Sequence, residues 1–261
     1  MGGIFDRELG EAYDRWYRTA YDRSMDACVS QLVTTLIKPL HNERILDVGC
    51  GSGNHLLTFR KMGLDGTGVD PSTEMISQAR KKLGSECVLR RADAADLPFE
   101  DNEFDLVSLI NTLEFVENPL GVLREAGRVA ARKVFIITVN NLSCFGASSK
   151  IRGFFGDRLF GSARQFNIVS LKNLVARAYG DAPIQWRSLC GQSRILGPLS
   201  NPDQRPLSIS NSPFGQFIAV SVKMKYVVIT DNISIKDKLK KARLSLVRPG
   251  TVEPAKQSRR D

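Results

Sequence analysis

Three acidic residues and a run of glycines carry most of the chemistry this sequence can offer. Asp47 stands two residues ahead of Gly49, and Gly49, Cys50, Gly51 and Gly53 form a turn directly after the apolar run Ile45-Leu46-Asp47-Val48. Glycines let a backbone approach a ligand closely, and a helix following the turn offers unpaired N–H groups. A diphosphate loop has the spacing G-x-G-x-x-G with no acid beside it. Here the third glycine comes one place early, with Asn54 in its position, and Asp47 would repel a diphosphate but attract an ammonium group. About twenty residues on, Asp70-Pro71-Ser72 places an acid where a ribose receives a bidentate carboxylate. The competing use for Asp70 is capping the next helix, a task Ser72 can take over.

S-adenosylmethionine has an ammonium, a sulfonium, a carboxylate and a ribose, and no phosphate, so it suits this pattern better than a dinucleotide. Residues 44–55 resemble the first motif of the class I S-adenosylmethionine-dependent methyltransferases. The run Ala92-Asp93-Ala94-Ala95-Asp96-Leu97-Pro98-Phe99 resembles the family's G-D-A-x-x-L-P-F element, with Arg91-Ala92 in the glycine region. The resemblance implies cofactor contacts from Asp47, Gly49, Cys50, Gly51, Gly53, Asp70 and Pro71. It also implies an adenine amino group on Asp93 and a ring nitrogen on the Ala94 amide, whereas the residue alone allows a turn-forming Asp93. The stretch Asn111-Thr112-Leu113-Glu114-Phe115-Val116-Glu117-Asn118-Pro119 resembles the small-molecule, type 11 branch, in which x-L-x-H-V-x-D-P is common. Phe115 stands where many members carry His, which leaves Glu114 as the candidate base; a carboxylate at a helix end facing water is the other reading. The following L-R-E-A-x-R-V also matches, but the usual P-G-G turn is replaced by Ala130-Ala131-Arg132-Lys133.

The elements that must position these residues follow from hydrophobic periodicity. Strands are predicted at 44–48, 66–69, 87–90, 104–110, 134–139, 184–189 and 214–224, with a further stretch at 226–230. Helices are predicted at 10–37, 53–63, 73–83, 120–130 and 170–179. This alternation predicts a Rossmann-like, doubly wound α/β fold with a seven-stranded, mostly parallel sheet, helices on both faces and a terminal antiparallel hairpin. Strands one and four flank the reversal of strand order, beyond whose carboxyl ends ligands bind. Asn111 and Thr112 therefore join the cofactor set, with Leu113 and Glu114 near the reactive methyl.

Three regions follow along the chain. Residues 1–40 are expected to form a helical lid, in which Tyr13 and Tyr17 either close over the cofactor and acceptor or staple the helix to the sheet. Residues 41–232 make the methyltransferase domain, with an acceptor cap around 140–168 and 191–213. Phe115, Phe154 and Phe155 are its apolar candidates, and an in-plane membrane contact is the alternative use of this basic, aromatic stretch. Residues 233–261 are a basic tail, expected to be flexible, carrying nine Lys and Arg against three acids. Of the formal charge of +9, the tail accounts for +6.

Composition narrows the rest. With 261 residues, 42% of them hydrophobic, the chain can bury one substantial core. No run of about eighteen apolar residues suggests a membrane span, and the first residues lack a signal-peptide profile. Five scattered cysteines without a C-x-x-C pair point to reduced thiols in a cytoplasmic compartment and to no metal site. The absence of N/D-P-P-Y/F and of Pro-Cys after strand four argues against amine and pyrimidine methylases of nucleic acid. The expected partner is a small-molecule methyl acceptor. A non-catalytic module whose tail engages nucleic acid or an anionic membrane is the competing reading.

Overall fold

The computed structural model describes residues 29–143, 146, 163–190 and 208–224. Tyr13, Tyr17, Phe154, Phe155, most of the expected cap, the stretch 226–230 and the basic tail lie outside the described residues. So does most of the expected lid, of which 29–37 is helical, ending in a π turn at Val33–Ile37. Lys38 then takes a left-handed conformation ahead of Pro39, which cannot continue a helix.

The strands are β1 (Arg44–Val48), β2 (Asp65–Asp70), β3 (Val88–Arg91), β4 (Phe104–Ile110), β5 (Ala130–Val139), β6 (Ile184–Cys190), β7 (Ser208–Ser210) and β8 (Phe217–Lys223). The helices are α1 (Asn54–Lys61), α2 (Thr73–Leu83), α3 (Pro119–Val129) and α4 (Ile168–Tyr179). All eight strands form one sheet in the order β3-β2-β1-β4-β5-β8-β6-β7. The first five pair in parallel; β8 runs antiparallel between β5 and β6, and β7 runs antiparallel along β6. Order reverses between β1 and β4, as expected.

Among the described residues the sheet has eight strands, not the expected seven. The additional one is β7, inside a Gly-, Pro-, Ser- and Asn-rich stretch that reads as loop. Three residues cannot show an alternating pattern, and pairing of Ser208, Ile209 and Ser210 with the edge strand β6 supplies what propensity lacks. A second departure is the start of β5, which absorbs Ala130-Ala131-Arg132-Lys133. With no P-G-G turn, α3 passes straight into extended backbone at Ala130. Lys133 Nζ from this stretch donates to the Leu36 and Ile37 carbonyls, satisfying the end of the first helical segment.

The core lies on both faces of the sheet. Ile45, Leu106, Ile110 and Phe135 face the first helical segment, α1 and α2, through Leu36, Leu56, Phe59 and Leu83. Leu46, Val48, Val107, Leu109 and Ile136 face α3 and α4, through Leu123, Ala126, Leu171 and Val175. Strands buried on both faces need continuous apolar runs, and β1 and β4 have them apart from Arg44, Asp47, Asp105 and Ser108. No described helix is long and apolar enough to cross a membrane.

Candidate active site

The glycine turn is held by the neighbouring strand. Gly49 N–H and Cys50 N–H both donate to the Val69 carbonyl, at 2.8 and 2.9 Å. Gly51 N–H donates to Asp70 Oδ2 at 3.0 Å, and Gly53 N–H to the Cys50 carbonyl at 2.9 Å. A loop built to cradle a diphosphate keeps such amides for the ligand. Here four of them have partners within the protein. Gly49 (φ 75°) admits no side chain, because a Cβ would sit 2.6 Å from Thr112 Cγ2. Gly51 (φ 51°) has no described residue within 4 Å of that position and so leaves an open approach to the backbone.

Asp47 is 1% exposed and receives the Ser108 hydroxyl on Oδ1 at 2.7 Å. Its Oδ2 is buried and has no hydrogen-bond partner among the described residues. Burial pushes its carboxyl up to about 7, opposed by the Ser108 bond and reinforced by the charge of Asp70. An ammonium beside Oδ2 would supply the missing partner and favour the charged form. Asp70 is raised as well, first by burial, against the hydrogen bonds from Ser72 and Gly51 N–H. Those bonds use one lone pair on each oxygen and leave two for ribose hydroxyls. Ser72 Oγ accepts from Met75 N–H, so the helix cap falls to Ser72, as expected.

The turn after β4 completes the group. Asn111 is a non-glycine residue at φ 52°, buried, with neither amide atom of its side chain hydrogen-bonded. Strain of that kind persists only where the surroundings enforce it, and it clusters at functional sites. Thr112 Oγ1 donates to the Val48 carbonyl at 2.8 Å, locking this turn against the glycine turn. Glu114 does not face water: it is 4% exposed, and Oε1 accepts from Val139 N–H at 2.8 Å. Its Oε2 is buried without a partner, and burial raises the carboxyl to about 7.

The remaining candidates are placed as follows. The Cys50 thiol is buried against the sheet, so only its backbone belongs to the turn. Gly53 packs on Leu83 and Ala79 of α2. Asp93 is exposed and accepts from Ala95 N–H at 2.9 Å, the turn its residue type allows, while Ala94 is buried. Pro71 is exposed, and Phe115 is half-buried at the end of the β4 turn. His55 is buried, and burial followed by the Lys82 charge lowers its imidazole to about 4, leaving it neutral near pH 7. The sequence reading missed Ser108, the partner of Asp47. Its signal was a hydroxyl in the otherwise apolar run Val107-Ser108-Leu109-Ile110.

A family model described as a methyltransferase domain matches residues 46–138, which span the glycine turn, Asp70, Asp93 and the β4 turn. An uncharacterised protein of Methanocaldococcus jannaschii is 32% identical over 177 residues, covering 66% of this chain and 80% of that one. The chain belongs to the class I S-adenosylmethionine-dependent methyltransferases. S-adenosylmethionine is the cofactor of this family, and the orphaned Asp47 oxygen and the open approach at Gly51 fit it. A demethylmenaquinone methyltransferase of Thermotoga maritima is 34% identical over 133 residues, 50% of this chain and 56% of that one. The chain thus spans about half the length of this relative. A crystal structure of a methyltransferase from Thermotoga maritima, described as a possible histamine N-methyltransferase, superposes with a TM-score of 0.64. It covers 85% of this chain and 98% of that one at 22% identity, a likeness of fold.

Proposed function

We propose that this methyltransferase acts on a small, apolar or aromatic acceptor, with the cofactor seated across the carboxyl ends of β1, β2 and β4. One observation carries the reading: the buried Asp47 Oδ2 lacks a partner beside a glycine turn whose amides are already used. Such a site seeks a cation and has little to offer a phosphate. The demethylmenaquinone methyltransferase relatives support a small-molecule acceptor, since that is what their name gives as their substrate.

S-adenosylmethionine, when bound, supplies a methyl group activated by the sulfonium. The chain has to hold, orient and shield it, because displacement at such a methyl needs in-line placement more than acid–base help. In this reading Asp47 holds the ammonium, Asp70 accepts the ribose hydroxyls, the Asp93 carboxylate accepts from the adenine amino group, and the Ala94 N–H serves a ring nitrogen. Asn111 offers its unpaired amide to the amino-acid end. Glu114 takes up a proton at Oε2 where the acceptor has one to lose; a carboxyl near 7 suits a base working near neutrality. Tyr13, Tyr17, Phe115, Phe154 and Phe155 are proposed to close over the acceptor.

Calorimetric titration with S-adenosylmethionine is expected to show one site that NAD does not compete for. Incubation with methyl-labelled cofactor and a cell extract is then expected to label a small molecule. No heat with S-adenosylmethionine, or label only on protein or nucleic acid, would refute the proposal.

A further inference from the structure

A second candidate site lies beside the β4 turn. An open cavity of about 460 Å³ is lined by Asn118, Arg164, Phe166, Asn173, Leu174 and Arg177 among others, and no acidic residue among the described ones lines it. Glu117 is exposed on the turn before Asn118 but is not part of the lining.

The two arginines differ from most others among the described residues. Arg44, Arg60, Arg128 and Arg132 each pair with a carboxylate, on Glu103, Glu86, Glu125 and Glu43 respectively. Arg80, Arg90, Arg91 and Arg187 donate to carbonyls. Arg164 and Arg177 have no carboxylate partner among the described residues, yet both border the same cavity. Two planar, permanently charged donors bordering one space favour an anion with several acceptor oxygens. The helix ends nearby add nothing to this. Asn118 Oδ1 already caps α3 at Gly121 N–H, and Asn167 and Ser170 cap α4 reciprocally. Phe166 and Leu174, with Pro119 and Leu120, give the cavity apolar walls.

Placement ties the cavity to the reaction. Arg164 N–H donates to the Glu114 carbonyl at 2.7 Å, and Asn141 N–H to the Phe166 carbonyl at 2.8 Å. The strap carrying Arg164 and Phe166 therefore crosses the carboxyl ends of β4 and β5. We propose that this cavity binds the carboxylate or phosphate of an otherwise apolar molecule, and that this molecule is the methyl acceptor. The assignment to the acceptor rests on the function proposed above; the anion site does not.

The test titrates the full chain with dodecyl phosphate and dodecanoate below their micelle concentrations. Vesicles of phosphatidylcholine with and without phosphatidylglycerol form a second arm. Wild type is expected to bind at least one amphiphile, and Arg164→Gln with Arg177→Gln to weaken it by about tenfold or more. Lysine at both positions should restore part of the affinity. Vesicle binding that depends on both arginines would identify the anion as a lipid headgroup, and amphiphile binding without it would identify a soluble molecule. Failure of wild type to bind any probe would overturn the proposal. So would equal binding by the double glutamine variant, since the basic tail is intact there and would then be the binder. Titration with S-adenosylhomocysteine, expected to be unchanged in the variant, checks folding. In wild type the same titration tests the proposed function independently of the anion site.

Discussion

Two turns meet at the reversal of strand order, and they handle strain in opposite ways. In the turn after β1, positive φ falls on Gly49, Gly51 and Gly53, and the amides of Gly49, Cys50, Gly51 and Gly53 have partners inside the protein. In the turn after β4, positive φ falls on Asn111, a residue with a side chain, and buried polar atoms of Asn111 and Glu114 have none. The first turn is complete without a ligand. The second holds strain and unused hydrogen-bonding capacity, each worth on the order of 1–3 kcal/mol, which a bound ligand would offset. Shape at this site is set by the first turn, unmet hydrogen bonding is left on the second and on Asp47 ahead of the first, and Thr112 joins the turns through its bond to the Val48 carbonyl.

The sharpest way to break that division is Gly49→Ala. Its Cβ would meet Thr112 Cγ2 at 2.6 Å in a left-handed conformation, so a stability loss of about 2–4 kcal/mol is expected in urea unfolding. Cofactor binding should vanish with it, because the clash drives the two turns apart. Next in size is Glu114→Gln, which keeps an acceptor for Val139 N–H and should fold. If the acceptor loses a proton to Glu114, kcat/KM should fall roughly a hundredfold. Wild-type activity should rise with pH through about 7 and the variant should not; a profile of the same shape in both would remove Glu114 from the chemistry.

Asp47→Asn tests charge at nearly constant shape. Affinity for S-adenosylhomocysteine, whose ammonium is retained, should drop about 10- to 100-fold by calorimetry. It should also change the stability of the free protein with pH. Folded Asp47 holds its proton up to about 7, well above the value near 4 of an unfolded carboxyl. The folded state therefore binds more protons in between, and the contribution of Asp47 to stability is greatest below pH 4 and declines as pH rises to about 7. Removing the group should flatten that decline in melting temperatures measured across the range. The smallest effect is expected from Asn111→Gly, which should gain about 1 kcal/mol by relieving the left-handed backbone while weakening cofactor binding. Loss of stability in that variant would show that Asn111 belongs to the scaffold rather than to the ligand.

Much of this was legible in the chain itself. The run from Arg44 to Gly53, with an acid ahead of alternating glycines, specifies a strand and a glycine turn, because both depend on residue type and short spacing. Alternating strand and helix patterns specify a doubly wound sheet for the same reason. The strand β7 was not legible, since three residues in a polar stretch become a strand only when an edge is there to pair with. Nor was the burial of Glu114, whose surroundings come from Val139 and from the strap at Arg164, distant in sequence. The meeting of Asp47 with Ser108, sixty-one residues apart, and of Arg164 and Arg177 with the turn at Asn118, are likewise products of packing. Local sequence determined which polar groups stand at the carboxyl ends of β1, β2 and β4. The folded sheet alone decided which of them are left dry and unpartnered, because desolvation and hydrogen-bond supply depend on neighbours that chain order does not reveal.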